Sequence, residues 1–254
     1  MKTMLKNMAI PLYYQLETIL RKKIMSGDFS PEIPMPSEDA LARGYKVSRI
    51  TVRQALSSLE KDGLLIRQPG RGTFISEKAD SLELPRFTGS IEDLVLMGKR
   101  TEIRVIDSTW VNPPGHIRDH LSVKDEQVLR IEKVRNIEGK PFSHVFNYLP
   151  PHIGKKLSMD LVKSKPMLMI LEDDLGVRAI EADQTVEATI ADPEVASLLE
   201  IRVGDPLLKT ERTVYDDKHN PVEYVTVMYR ADKYAYTMKL KRKKTDKSRG
   251  WGAV

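Results

Sequence analysis

The chain has no cysteine. Disulfides, thiolate metal sites and a cysteine nucleophile are therefore excluded, and the composition fits a reducing compartment. No apolar run reaches the roughly 20 residues that cross a bilayer as a helix. The basic N-terminus also lacks the apolar core of a signal peptide. A soluble, cytoplasmic protein without a membrane partner is the expectation. Glycine-rich phosphate loops of the Walker or Rossmann type are absent from the sequence, and so is a metalloprotease motif. His116 and His120 could share a helix face, but Ile117 stands where that motif needs glutamate, and no third ligand is evident. They read as surface histidines after the Asn112-Pro113-Pro114-Gly115 turn. Glu172-Asp173-Asp174 reads as a solvated helix end. No nucleophile or acid–base constellation stands out, so neither an enzyme nor a cofactor or metal is expected.

What is present is uneven in charge. At 254 residues the chain is long enough for two domains. Residues 1–78 carry 13 Lys/Arg against 8 Asp/Glu, residues 79–238 carry 21 against 27, and residues 239–254 carry 7 against 1. Basic ends flank an acidic middle, the pattern of a phosphate-binding head on a DNA-indifferent body.

The head has a legible pattern. Leu12, Leu16, Ile19, Leu20 and Ile24 recur at helical spacing, which predicts an amphipathic helix from about Pro11 to Ser26. Ser37 is a good N-cap for a short second helix ending near Arg43-Gly44, with Glu38 and Asp39 at the positive end of its dipole. After a tight turn, Ser48 caps a third helix. Its Val52, Ala55, Leu56 and Leu59 face inward, while Ser48, Arg49, Thr51 and Arg53 crowd the outer side of its first turns. Two helices across such a turn make a helix-turn-helix. Hydroxyls and free N–H groups bind phosphate, and an arginine can bridge the two acceptors of a guanine edge. Leu64–Arg67 and Thr73–Ile75 then read as two strands around Gln68-Pro69-Gly70-Arg71-Gly72. Gly70 and Gly72 permit close approach, and Arg71 can enter a minor groove as the tip of a wing.

In order and spacing these motifs resemble the DNA-binding domain of the GntR family of bacterial transcription regulators. Pro11-Leu12-Tyr13-Tyr14-Gln15-Leu16, Pro36-Ser37-Glu38, Val47 to Leu56, Asp62-Gly63-Leu64-Leu65 and Gly70-Arg71-Gly72-Thr73-Phe74 carry the resemblance. It implies base or phosphate contacts for Arg49 and Arg53, a phosphate contact for Thr51, and a minor-groove position for Gly70 and Arg71. Ser37, Ser48 and Gly72 complete the expected DNA-binding set. Two positions depart. Asp39 stands where many relatives carry arginine and would oppose the phosphate contact made there. Met35 replaces the usual leucine.

Past the polar segment 77–84, read as a linker, the texture changes. Val128–Ile131, Val145–Tyr148, Gln184–Ala188, Leu207–Tyr215 and Val222–Tyr229 are rich in β-branched and aromatic residues. Glu138-Gly139-Lys140-Pro141 and Asp216 to Pro221 read as hairpin turns. Helices fit Ile91–Met97, Pro166–Leu175 and Pro193–Leu199, the last with Asp192 as cap. The expected class is α+β, with a mainly antiparallel sheet over 85–240 after a winged helix-turn-helix over 1–76. The basic tail 241–254 is expected to lack regular structure, adding solubility or sequence-independent DNA affinity.

The second half resembles the UTRA ligand-sensing domain of the HutC subfamily, whose fold is similar to chorismate lyase. Gly139-Lys140-Pro141 with Tyr148-Leu149-Pro150, Ala182 to Ala188, Gly204-Asp205-Pro206-Leu207-Leu208, and Pro221-Val222-Glu223-Tyr224 through Asp232 carry it. The resemblance implies an effector pocket built from Ser90, Lys133, Arg135, Glu223 and Tyr229. Where sugar-phosphate binders offer polar groups, this chain has Val145, Pro166 and Leu168. The expected effector is therefore anionic with an apolar or aromatic body. A homodimeric, effector-responsive repressor of a palindromic double-stranded DNA operator follows as the expectation. Two rivals are an enzyme of the chorismate-lyase type, disfavoured because fold does not carry chemistry, and a ligand-independent architectural DNA binder, disfavoured by the charged pocket candidates.

Overall fold

The computed structural model of the chain describes residues 10–76, 86–87, 101–238, 240–245 and 248–253. The linker 77–84, the expected helix Ile91–Met97 and Ser90 lie outside the described residues. By internal contacts the chain divides into two units, Met1–Glu83 and Leu84–Val254.

The first unit packs helices α1 (Leu12–Met25), α2 (Glu38–Tyr45) and α3 (Arg49–Lys61) beside a hairpin of β1 (Leu65–Gln68) and β2 (Gly72–Ile75). Its core is the apolar set that recurs at helical spacing: Leu16, Leu20 and Ile24 from α1, Leu41 from α2, and Val52, Ala55, Leu56 and Leu59 from α3. Full burial of each large side chain contributes about 1.5–3 kcal/mol, so this small core is sufficient only because nearly every inward position is apolar. Ser37 caps α2 by accepting from the Ala40 N–H (3.2 Å). Gly44, expected to end that helix, lies inside it. The chain turns instead at Lys46, whose left-handed backbone (φ 56°) lets Val47 N–H reach the Ala42 carbonyl. Half-buried Tyr45 packs on the core and carries the helix one residue further.

The second unit opens with a two-residue strand, β3 (Arg86–Phe87), which pairs with Ala235–Tyr236, and is built on a six-stranded antiparallel sheet. In chain order its strands are β4 (Glu102–Val111), β5 (Val128–Ile137), β6 (Lys140–Leu149), β7 (Ala179–Ile190), β8 (Pro206–Asp216) and β9 (Pro221–Arg230), arranged β4-β5-β6-β9-β8-β7. The β5–β6 hairpin turns on Glu138 and Gly139, both with positive φ (51° and 72°), which is the two-residue turn that matches strand twist. Between β8 and β9, Asp216 accepts from the Lys218 and Asn220 N–H groups and fixes the loop as an Asx turn.

The register determines which side chains share a face. One row across the sheet reads Val105, Lys133, Val145, Val227, Thr210, Val186; a neighbouring row reads Ile131, Asn147, Val225, Arg212, Gln184. Alternation along each strand brings Lys133, Arg135, Asn147 and Arg212 to one side. That side is covered by Met159–Ser164 and by the Pro166–Leu175 segment, whose buried Val162, Ile170 and Leu171 join Ile131 and Leu149 in one core.

The expected single helix Pro166–Leu175 is in fact a three-residue helical turn, Met167–Met169, followed by a π-turn, Ile170–Asp174. The wider turn closes through Leu175 N–H to the Ile170 carbonyl (3.0 Å). It keeps Ile170 and Leu171 buried while Glu172, Asp173 and Asp174 stay in water, where Lys165 meets Asp174. The tail also differs from expectation. Residues 240–245 and 248–253 pair as two antiparallel strands.

Candidate DNA-reading face and effector pocket

On the first unit, the first turns of α3 present Arg49 and Arg53 to solvent with side-chain exposures of 64% and 60%. Ser48 is occupied locally: its Oγ accepts from Thr51 N–H (3.1 Å) and lies 2.8 Å from Thr51 Oγ1. This cap fixes the helix start and leaves the arginines as the reaching groups. Each arginine rests against an acid of α2. Arg53 donates from Nη2 and Nε to Glu38 Oε2 (3.1 and 3.3 Å), and Arg49 Nε lies 2.8 Å from Asp39 Oδ1. Two further residues of α3, Ile50 and Gln54, are exposed next to them in sequence. An exposed apolar group suits a thymine methyl, and a glutamine suits adenine. The sequence reading missed both, although an isoleucine breaking the polar outer stripe of α3 was the available signal.

The wing has its expected shape. Gly70 (φ 74°) and Gly72 (φ 117°) adopt conformations that disfavour side chains, and between them exposed Arg71 lies over the Phe74 ring at 5.7 Å. Arg71 is thereby held at the hairpin tip by a cation–π contact.

In the second unit, the sheet face and its cover leave a cavity of about 60 Å³. Lys133, Arg135, Arg212 and Glu223 line it with Val145, Asn147, Val225, Val227, Tyr229, Pro166, Met167 and Leu168. Lys133 is fully buried. That burial, with Arg135 nearby, pulls its ammonium down to about 8, against the opposing pull of Glu223. Burial likewise lowers Arg212, which remains charged in a protein. Burial raises Glu223, partly offset by Arg212 and Lys133. Glu223 is held by Asn147 Nδ2, whose partner atom Oδ1 is buried without a hydrogen bond. Arg135 donates to Ser143 Oγ (2.9 Å) and Tyr229 OH (3.2 Å), and Tyr229 stacks on Tyr234 at 4.0 Å. Arg212 donates to Gln184 (2.9 Å). Among the described residues, none of these three cations is within ion-pair distance of a carboxylate.

Comparison with known proteins gives these features their context. Residues 12–75 match the model "Bacterial regulatory proteins, gntR family", and residues 96–235 match the UTRA domain model. The chain belongs to the GntR family. This GntR-family chain is 31% identical over 91% of its length to the HTH-type transcriptional repressor NagR of Bacillus subtilis (strain 168), covering 95% of that protein. It is 25% identical over 91% of its length to a probable fructoselysine utilization operon transcriptional repressor of Escherichia coli (strain K12), covering 95% of it. The crystal structure of PhnF from Mycobacterium smegmatis has the same fold, with a TM-score of 0.53 at 22% identity over 87% of this chain and 97% of that one. The protein is thus a DNA-binding transcription regulator of a repressor family with a UTRA ligand-binding domain, and the family is not enzymatic.

Within this GntR-family structure the expected site residues fall into two groups. Ser37, Ser48, Arg49, Thr51, Arg53, Gly70, Arg71 and Gly72 all lie on the α2–α3 and wing surface. Lys133, Arg135, Val145, Leu168, Glu223 and Tyr229 meet at one cavity, and Ser90 lies outside the described residues. Arg212 and Asn147 are the polar cavity residues that sequence reasoning missed, with the apolar Ile103, Val225 and Val227 beside them. Arg212 and Asn147 sit on strands that mix polar and apolar residues, so only the strand pairing shows that they face the cavity. His116 and His120 are exposed, as expected, and both lie against Tyr224. No candidate metal cluster occurs among the described residues.

Proposed function

We propose that the protein is an effector-responsive repressor. It binds a palindromic operator as a homodimer in the cytoplasm, through α3 in the major groove and Arg71 in the minor groove. Half-sites one helical turn apart, ~34 Å, suit two such heads. The effector is a small anion with an apolar or aromatic body, held in the UTRA cavity. One observation carries this: Lys133, Arg135 and Arg212 line one cavity with a single carboxylate, Glu223, among them. Uncompensated buried cations are costly, and a carboxylate or phosphate group would neutralise them through charge-assisted hydrogen bonds. Most of the remaining lining is apolar, with Val145, Val225, Val227, Met167 and Leu168 against two further polar groups, Asn147 and Tyr229, which favours an apolar body over a polyhydroxy chain. One relative is named for fructoselysine utilization and another for histidine utilization. Family membership therefore does not dictate this effector, and the pocket is the better guide. Ligand binding then shifts the DNA-binding equilibrium by the 1–3 kcal/mol typical of such couplings, roughly.

The test is a thermal-shift screen of the purified chain against sugar phosphates and against aromatic or acyl carboxylates and phosphates. A ligand that binds only the folded state raises the melting temperature by mass action. Stabilisation confined to the second set is expected. Stabilisation confined to sugar phosphates would overturn the apolar-body assignment.

A further inference from the structure

Asp39 stands on the first turn of α2, beside the start of α3. Its Oδ1 lies 2.8 Å from Arg49 Nε, and both side chains are substantially exposed (46% and 64%). A guanidinium offers donors along its Nε side and at its two terminal nitrogens. An acid paired by charge beside Nε leaves the terminal pair as a fork. Among the described residues, those terminal nitrogens make no ion pair or hydrogen bond. Guanine N7 and O6 are the acceptors such a fork fits. The same carboxylate repels a DNA phosphate, which otherwise competes for an exposed arginine. Ser48 and Thr51 are satisfied by each other, which leaves Arg49 without a second partner on α3 to fix its direction.

We infer that Asp39 is a specificity-determining positioning residue: it holds Arg49 by the Nε side so that the terminal nitrogens face a guanine and not the phosphate backbone. This rests on α3 being the DNA-reading helix. An exposed pair of this kind adds little stability, so the consequence is expected in base choice and not in the melting temperature.

The test uses the full-length chain as wild type, Asp39→Ala, Asp39→Glu and Arg49→Lys. Each is taken through selection from a duplex library with a randomised core, followed by sequencing of the bound DNA, and through binding to random-sequence duplex across a salt series. Arg49→Lys keeps the charge but not the fork, and is expected to lose a guanine preference at one position of each half-site. Asp39→Ala is expected to weaken preference at that same position about tenfold, within the range of one bidentate arginine–guanine contact. It also binds random duplex severalfold tighter at low salt, because a repelling charge is gone. Asp39→Glu restores part of the preference. If Asp39→Ala keeps the preference that Arg49→Lys loses, the inference is wrong and the reading of Arg49 stands. If Arg49→Lys keeps every base preference, the reading of α3 fails first. A melting temperature lowered by Asp39→Ala, with preferences blurred at every position, would assign Asp39 a structural role and overturn the proposal.

Discussion

In the head, Arg49 and Arg53 are 64% and 60% exposed and each rests against an acid of α2; in the sensing domain, Lys133 and Arg212 are buried and neither meets a carboxylate among the described residues. The two arrangements suit different ligands. An exposed ion pair has a net worth of about 0–1 kcal/mol, so DNA can exchange it for a phosphate or a guanine at little cost. A buried unpaired cation is held at the expense of stability, and its cost is relieved when an anion arrives. The head is therefore ready at all times, whereas the pocket couples its occupancy to the stability of the domain around it.

The largest expected effect breaks this contrast from the pocket side. Lys133→Met removes the buried ammonium while keeping most of its volume. The unliganded protein should gain about 1–3 kcal/mol at neutral pH, in line with replacement of other buried charges by apolar groups. The same variant should lose the thermal shift given by anionic ligands. Denaturant unfolding with and without ligand measures both. A variant that is less stable, or that still responds fully, would mean that Lys133 is already compensated.

Titration sharpens the same point. Lys133 sits at about 8 in the folded chain, lowered by burial from an ordinary 10.5. Between those values the unfolded chain keeps a proton that the folded chain has released. Stability therefore rises with pH in that window, by up to about 1.4 kcal/mol per pH unit. Below about 8 both states hold the proton and the contribution is flat. The difference between wild type and Lys133→Met, followed by denaturant midpoint across this window, isolates the lysine from Arg135, Arg212 and Glu223 around it. A difference that does not change with pH would place the ammonium in water.

The head is expected to behave the opposite way. Arg53→Ala should leave unfolding stability within about 0.5 kcal/mol, because its pair with Glu38 is exposed. It should cost about 1–3 kcal/mol of preference for the selected site over random duplex if the guanidinium reads a base. Competition binding with both DNAs separates the cases, since equal loss on both would leave Arg53 a phosphate contact only.

Much of this was legible in the sequence because periodicity and caps are local. The spacing Leu16, Leu20, Ile24 and the caps Ser37, Ser48 and Asp192 are written within single turns, and the helices begin where they should. The β5–β6 turn was equally legible, since Glu138-Gly139 flanked by apolar strands has few alternatives. The pocket was legible only in part. Lys133 and Val145 are neighbours through strand pairing, as are Val225 and Arg212, and pairing is a long-range choice. That is why Arg212 and Asn147 went unseen while Lys133 and Glu223 were picked out by resemblance. The π-turn at Ile170–Asp174 was invisible for a related reason: Met167–Leu171 is apolar at every position, so no stripe marks where a helix must change its pitch.

The smallest effect concerns the wing. Arg71 is held at its tip by Phe74 and by two glycines with positive φ, so its place depends on the hairpin and not on α3. Negative potential in a narrow minor groove attracts an arginine there without reading the major-groove edge. Arg71→Ala should therefore weaken binding to the selected site and to random duplex by a similar factor, a few-fold, and lower the salt dependence by about one counterion. The base preferences set by α3 should be unchanged. Affinity equal to wild type at all salt concentrations would remove the wing from the interface. A selective loss of major-groove base preference would instead mean that Arg71 and α3 act as one unit, and the division between a positioning wing and a reading helix would no longer hold.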